Sequence, residues 1–585
     1  MPSADILIIG AGPTGLVLAL WLARLGVRIR VIDKAAQPGT TSRAVGVQAR
    51  TLELYRQLGL AETLVEQGLE FAAANLWVRG KKAARAAFGE MGQGLSPYPY
   101  MLIYPQDQHE RLLIEQLAAE GVTIERQTEL VSFEDDGTRV LARLKRPDGA
   151  EEVCEAGYLA GCDGARSRVR EVTGVGFPGG TYAHLFYVAD AEGSGPVMNG
   201  ELHVALDDRE FLAAFPMKGS GHARLIGMAP VKGDGHPPPV WQDVSKRLLE
   251  RLDVHVERVN WFSTYHVHHR VAGRFRQGRA FLLGDAAHIH SPVGAQGMNT
   301  GISDAVNLAW KLAAVVQGRA SPSLLDSYEP ERIGFARRLV ATTDRAFTAV
   351  TSPTALARLI RTQVAPRLLP LLVRSASVRR FMFRTISQTA MHYRSGPLSE
   401  GRAGRLWGGD RLPWVVADAP RDGHADNFAP LTSLDWQVHV YGELGPEVRA
   451  ACARRRLSVH VFPWSLAAQR AGVQRDALYL VRPDGYIGLA DPDASAAKLE
   501  RYFDQIVSCH VVVELPHKHK TQGNHFHVRI ELGVPKQHIV ITRAPDEKAE
   551  LENAYATLAD AFEAAKRKLQ DYARKMQGGS KHAVA

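Results

Sequence analysis

The first patterned stretch of the chain is an unbroken apolar run, Ile6 to Ile9, the signature of a strand buried on both faces of a parallel sheet. Gly10-Ala11-Gly12-Pro13-Thr14-Gly15 follows at once, then helical periodicity from Leu16 to Leu25. A second apolar strand, Val27 to Ile32, ends in Asp33 with Lys34 beyond it. The segment Gly157 to Arg170 repeats the plan of strand, polar turn and helix. Phe281 to Leu283 form a third buried strand, which delivers Asp285 to its carboxyl end. A glycine-rich loop then leads into a helix with Ala305, Leu308, Ala309 and Leu312 at helical spacing. Between these segments the pattern changes. Leu185–Ala189, Leu202–Ala205, Phe211–Phe215 and Leu225–Met228 alternate with period two, which predicts a β-rich region over about 181–272.

Each of these turns has a chemical reading. Asp33 lies 18 residues beyond Gly15, close to the ribose-binding spacing of a dinucleotide fold, and strand, turn, helix, strand and acid fit a single βαβ unit. The glycines permit close backbone approach, and the helix start offers free N–H groups to a pyrophosphate. At this point NAD and FAD are equally good ligands. Asp163 and Ser167 suit a helix start, where a purely capping role competes with ligand binding. Asp285 sits at the edge where ligands of open α/β sheets collect, and the N–H groups of Met298 and Asn299 suit an anion or an electron-rich ring edge.

Composition narrows the class. With 585 residues, 45% hydrophobic and 23% charged, the chain is long enough for several domains, and disorder, collagen and coiled coil are excluded. A net charge of +9 permits anionic partners without selecting one. Cys154, Cys162, Cys452 and Cys509 form no CxxC pair, so neither a disulfide framework nor a zinc knuckle is expected. The start, MPSADILIIG, has no basic leader, and no run reaches 18 apolar residues, so a cytoplasmic protein with no membrane partner is expected. His288 with His290, and His266, His268 and His269, lack acidic or cysteine partners in the pattern. They are read as loop or packing residues, with no metal site. Arginines from Arg358 through Arg361, Arg367, Arg374, Arg379 and Arg380 to Arg384 alternate with Leu, Val and Phe, as in a membrane-surface helix. Pro366 and Pro370 favour instead a set of short helices with solvated arginines.

The three glycine-bearing segments, in order, resemble those of the class A flavoprotein monooxygenases, the para-hydroxybenzoate-hydroxylase-like aromatic hydroxylases, over about residues 3–500. The resemblance implies FAD, with NADPH or NADH as reductant. Its ADP part would lie on Gly10, Gly12, Pro13, Thr14, Gly15, Asp33 and Lys34, and its ribityl chain on Gly284 and Asp285. Asp163 and Gly164 would serve both FAD and the passing nicotinamide nucleotide. Pro292 would lie against the flavin ring, and Gly297, Met298 and Asn299 at its pyrimidine edge. Ser42-Arg43-Ala44 with Arg50-Thr51-Leu52-Glu53 resembles the second FAD segment of the family, with Arg43 on the cofactor, and Gln106 matches a glutamine beside the flavin. For Arg43 and Arg50 an ordinary surface position competes, and for Gln106 an ordinary helix start. The implied reaction hydroxylates a phenolic or polyketide-like aromatic with O2 through a flavin C4a-hydroperoxide, a step carried by the cofactor. No catalytic base is assigned. His184, Tyr187 and Phe215 are candidates to line the substrate pocket, with sheet packing the stronger reading for each.

The implied architecture is α/β. A discontinuous Rossmann-like FAD-binding domain (1–75, 98–180, 273–355) carries an inserted β-rich substrate domain (76–97, 181–272). A helical linker (356–405) and a thioredoxin-like domain (406–505) follow, and a partial β-β-β-α tail (506–585) ends the chain. Trp436–Tyr441, Ser458–Phe462 and Ala477–Val481 are the expected strands of the thioredoxin-like domain, with a hairpin turn at Arg482-Pro483-Asp484-Gly485. In the tail, Val507–Val513, His525–Leu532 and His538–Thr542 read as strands and Asp546 to Met576 as one helix. These resemble part of the ribosome hibernation-promoting, sigma-54-modulation family, which implies ribosome or RNA contact through Lys518, Lys520, Arg543, Lys566, Arg567 and Lys568. His517, His519, His525 and His527 are read as part of a solvated basic loop rather than as metal ligands. The leading function is thus an FAD-dependent, NAD(P)H-using aromatic monooxygenase. The alternatives are a flavin oxygenase acting on a non-aromatic substrate, such as an epoxidase, and a ribosome-associated protein with an inactive oxygenase part.

Overall fold

The computed structural model describes residues 4–504 apart from 40–43, 72, 88–90, 208–209, 231–236, 292–293, 352–353, 373 and 417–424, and beyond them residues 509–514, 527–534, 537–543, 562–565 and 567–568. The strands Ala4–Ile9, Glu151–Gly161 and Ala280–Leu282 are neighbours and parallel, with Ile29–Asp33 and Ile124–Arg126 completing the parallel run on the other side of Ala4–Ile9. Parallel alignment brings the carboxyl ends of the three motif-bearing strands to one edge, so turns separated by more than 100 residues of chain become adjacent. Ile6, Leu7 and Ile8 are fully buried, as are Leu16 to Leu22 of the helix Pro13–Arg24 that packs over them. This is the hydrophobic account of why that strand and helix form where they do.

A second sheet of eight strands lies beside the first. It runs from His288–Ile289 through His255–Val271, Gly179–Ser194, His222–Ala229, Phe211–Pro216, Leu202–Leu206 and Ala73–Val78 to Lys81–Ala87. Its alternation sorts side chains cleanly. Tyr187, Ala189, Ala191, Leu212, Ala214 and Leu225 pack outward against Leu248 and Leu249 of the helix Arg247–Arg251, with Tyr187 stacked on Phe262. Phe186 and Val267 pack on the other face with Tyr182, Phe211, Met228 and Tyr265. Tyr187 therefore packs in the outer core, whereas Phe215 packs toward the core of the first sheet.

A six-stranded sheet, 406–407, 400–403, 487–491, 478–481, 437–441 and 458–462, follows a helical region. The hairpin at 482–485 is present, with Gly485 N–H donating to the Arg482 carbonyl at 2.9 Å. One helix in the preceding region departs from the reading of the sequence. Ala355–Leu359 continues through a π-helical turn, Ile360–Val364, into Ala365–Leu372, so the prolines do not interrupt it. Ala365 N–H donates to the Ile360 carbonyl, and this wider turn absorbs the donor that Pro366 lacks. Cys509–Glu514, His527–Val534 and Gln537–Arg543 form an antiparallel sheet. The helix Ala496–Asp504 before it already buries Leu499 and Tyr502 in the core of the six-stranded sheet. Lys518, Lys520, Lys566, His517, His519 and His525 lie outside the described residues, as does most of the expected last helix.

Candidate active site

The first turn is shaped by contacts that only glycine permits. Gly10 has φ +100°, and a Cβ on it would meet the Cys162 carbonyl oxygen at 2.4 Å; one on Gly15 would meet the Gly10 oxygen at 2.0 Å. Around Gly12 nothing lies within 4 Å of such an atom, which leaves an open cradle at the start of the helix Pro13–Arg24. Asp33 fixes the loop from the neighbouring strand: its Oδ2 accepts from Ala11 N–H and its Oδ1 from Ala35 N–H, both at 2.7 Å. Lys34 is exposed beside it.

The second turn meets the first through Cys162. Asp163 Oδ2 accepts from the N–H groups of Arg168 at 2.6 Å and Val169 at 3.1 Å, and Ser167 Oγ accepts from Arg170 N–H at 3.0 Å. Capping is thus a real role of both residues. Asp163 Oδ1 is shielded and has no partner, and burial pushes the carboxyl above its ordinary range. Gly164 holds φ +78° in open space.

The third turn is locked to the first by Thr14. A Cβ on Gly284 would stand 2.6 Å from Thr14 Oγ1, and one on Gly301 would stand 2.3 Å from it. Asp285 is exposed between buried Gly284 and Ala286, a carboxylate held out at the edge of the parallel sheet. The helix Gly297–Val316 begins with no side-chain cap. Its first internal bond is Thr300 N–H to the Gln296 carbonyl at 2.9 Å, so the N–H groups of Gly297, Met298 and Asn299 precede the ladder at the positive end of the dipole. The Asn299 amide itself is a fastener: it donates to the carbonyls of Gly46 and Ala295 and accepts from Gln48 N–H and Thr51 Oγ1. Its side chain is thereby committed within the protein, and its backbone N–H stands in the uncapped first turn of the helix. Gln106 donates through Nε2 to Glu110 at 2.8 Å, which ties it to its own helix. Arg43 and Pro292 lie outside the described residues.

Beneath this edge lies a buried polar layer that the sequence pattern did not single out. Asp304 Oδ2 accepts from Gly284 N–H at 3.0 Å and from His288 Nε2 at 2.7 Å, and its Oδ1 accepts from Arg332 Nε at 2.6 Å. One and two turns beyond Asp304, Asn307 Nδ2 and Lys311 Nζ donate to Glu331, which also accepts from both terminal nitrogens of Arg482. These partners hold the Glu331 carboxyl down at about 2 against the cost of burial. Arg50, for which an ordinary surface position competed, is not on the surface. It is 2% exposed, bonded to Glu53 and to the Asp484 carbonyl at 2.6 Å. Spacing on the helix Gly297–Val316 places Asp304, Asn307 and Lys311 on one stripe, and that was the only signal available in advance.

Among the described residues no group of three or more His, Cys, Asp or Glu side chains could hold a metal. The donor set suits a dinucleotide with a flavin ring instead. It offers an open glycine cradle and a helix start for the pyrophosphate, carboxylates at Asp33 and Asp285 for sugar and polyol hydroxyls, and a second helix start for an electron-rich ring edge.

Residues 3–343 match the family described as FAD binding domain, and residues 493–577 match the sigma 54 modulation protein / S30EA ribosomal protein family. The chain is 36% identical over 524 residues to the 6-methylpretetramide 4-monooxygenase of Streptomyces rimosus, covering 83% of this chain and 91% of that protein. Among solved structures, the anhydrotetracycline hydroxylase of Streptomyces rimosus superposes with a TM-score of 0.69 at 30% identity, over 85% of this chain and 98% of that one. Aklavinone-11 hydroxylase, solved with FAD and aklavinone, gives 0.69 at 26% identity over 86% and 99%.

Proposed function

Because the chain belongs to the FAD-dependent monooxygenases that act on aromatic and polyketide substrates, we propose that it hydroxylates a phenolic, polyketide-like ring with O2, using NADPH or NADH as reductant. The observation that carries this reading is the convergence of three turns on one sheet edge, with Thr14 wedged between Gly284 and Gly301. FAD, when bound, supplies the redox chemistry that activates oxygen. The chain supplies placement. Gly12 and the start of the helix Pro13–Arg24 receive the pyrophosphate, Asp33 the ribose and Asp285 the ribityl hydroxyls. The N–H groups of Met298 and Asn299 stabilise negative charge on the pyrimidine edge. Gly164 and Asp163, with its unpaired Oδ1, form the rim past which the nicotinamide nucleotide comes. The discontinuous cofactor domain, the inserted sheet and the thioredoxin-like domain are the units we assign to these tasks.

The ring substrate is assigned to the face of the second sheet that carries Phe186, Phe211, Tyr265 and Val267. Half-buried Phe211 and Tyr265 would offer aromatic edges there, backed by buried Phe186 and Val267. The test is direct. The purified protein should be yellow, and NAD(P)H oxidation should accelerate with one or more members of a phenol and polyketide panel. A protein that stays colourless with added FAD would refute the reading. A yellow protein stimulated only by non-aromatic olefins would move it to an epoxidase-like oxygenase.

A second reading concerns the tail, whose family match begins at residue 493. Its first matched helix already buries Leu499 and Tyr502 in the preceding domain, so ribosome contact is assigned to the chain beyond it, through Lys518, Lys520, Arg543, Lys566, Arg567 and Lys568. Co-sedimentation with ribosomes at low salt would support that contact, and its absence would dismiss it.

A further inference from the structure

We propose that the face formed by the helical run 355–372 and the outer side of the helix Ala376–Ile386 is a docking surface for an anionic lipid surface. Leu356, Leu359, Ile360, Val364, Leu368, Leu371 and Leu372 recur at intervals of three or four along the run, and all are between 39 and 66% exposed. The π-helical turn keeps this stripe continuous through Pro366 and so removes the objection that the prolines raised in the sequence. Phe381 on the next helix is 70% exposed, while its neighbour Phe383 is buried against Gly92, with Met382 and Ile386 packed on the main core. The helix is therefore anchored on one side and offers an apolar residue on the other. An apolar stripe this long on a folded protein is uncommon without an occupant.

Charge selects the occupant. Between Asp344 and Glu400 the sequence has nine arginines and no Asp or Glu. Arg358, Arg367, Arg374, Arg380 and Arg384 are exposed, and among the described residues none of them pairs with a carboxylate. The strand Lys81–Ala87, which packs against Ala365–Leu372, adds exposed Lys81 and Lys82. A second copy on this face would set arginine against arginine with no carboxylate between them. A lipid surface with anionic headgroups instead takes the apolar stripe into its acyl boundary and the guanidinium groups at headgroup level. No helix among the described residues is long and apolar enough to cross a membrane, so the contact is peripheral. It revises the expectation of no membrane partner and is independent of the oxygenase assignment.

The full chain should float with phosphatidylglycerol-containing vesicles at low salt and remain behind with pure phosphatidylcholine. Leu359→Glu/Leu371→Glu, at exposed positions, should lower the bound fraction on the order of tenfold. Arg358→Glu/Arg367→Glu/Arg374→Glu should weaken it on the order of fivefold per charge. Both variants should keep the flavin content and melting temperature of the parent. Failure to float with phosphatidylglycerol vesicles, or flotation unchanged in both variants, overturns the proposal. So does a concentration-dependent dimer that Leu359→Glu/Leu371→Glu dissolves, which would give the face to a second copy.

Discussion

His288 Nε2 donates to Asp304 Oδ2 across 2.7 Å, and both side chains are 1% exposed. The same carboxylate takes Gly284 N–H, so a buried acid helps to hold the loop that carries Asp285, together with Arg170, which donates to the Ala286 carbonyl. Asp304→Ala would leave Arg332 and His288 without their partner in the interior. A loss of about 3–5 kcal/mol in stability is expected, together with poor flavin retention. Urea unfolding and the ratio of visible to ultraviolet absorbance measure the two effects separately.

Asp285 is exposed at the edge of the parallel sheet. Asp285→Ala should weaken FAD binding, read by titration of flavin fluorescence, by more than it lowers the melting temperature of the flavin-free protein. Unchanged affinity would remove Asp285 from the cofactor site.

Gly301 faces Thr14 Oγ1 at 2.3 Å and Gly284 Cα at 3.1 Å from the position a Cβ would take. Gly301→Ala should cost about 1–3 kcal/mol or more through overpacking. Adding Thr14→Ala removes the nearer of these contacts, so the double variant should recover part of the loss. A double-mutant cycle on thermal unfolding gives the coupling, and additivity within error would mean that the two turns are not in contact.

Glu331 joins the cofactor half to the hairpin at 482–485 through Arg482, at 2.7 and 3.0 Å. Glu331→Ala strands Lys311 and Arg482 and is expected to cost about 3–5 kcal/mol. Glu331→Gln, which keeps an acceptor for Lys311 and Arg482, should cost less than Glu331→Ala. Calorimetry should show the C-terminal unit unfolding separately in Glu331→Ala.

Burial lowers His109 to about 3, and His203 and His290 to about 4, from an ordinary value of 6.5. Each folded value is depressed, so below pH 6.5 the unfolded chain binds protons that the folded chain refuses. Their contribution is complete above pH 6.5 and lost as pH falls toward 4, at up to about 1.4 kcal/mol per pH unit for each histidine. Urea midpoints between pH 7.5 and 5 should fall accordingly, and His109→Gln, which breaks the 2.6 Å contact with Tyr55, should give a shallower pH slope.

The legible parts of the sequence were those governed by local rules. The strands before Gly10, Asp163 and Gly284 were visible because burial on both faces demands continuous apolar residues, and their turns because glycine marks close backbone approach. The inward or outward sense of the second sheet was less so. Tyr187 and Phe186 are both aromatic and adjacent, and only the pairing of Gly179–Ser194 with its neighbours decides which faces the outer core. The prolines at 366 and 370 misled for a related reason. A missing N–H breaks a regular α-helix, but a π turn can absorb it, and period counting cannot anticipate that choice.

By itself, the sequence determined the βαβ unit, the three glycine-bearing turns and the absence of acids between Asp344 and Glu400. These depend on residue type and near neighbours along the chain. Only the tertiary structure decided that Thr14 lies between Gly284 and Gly301, that Asp304 holds the third turn, and that Arg50 and Arg482 are buried. Each joins positions far apart in sequence, and parallel strand order and close packing, which no local pattern encodes, bring them together.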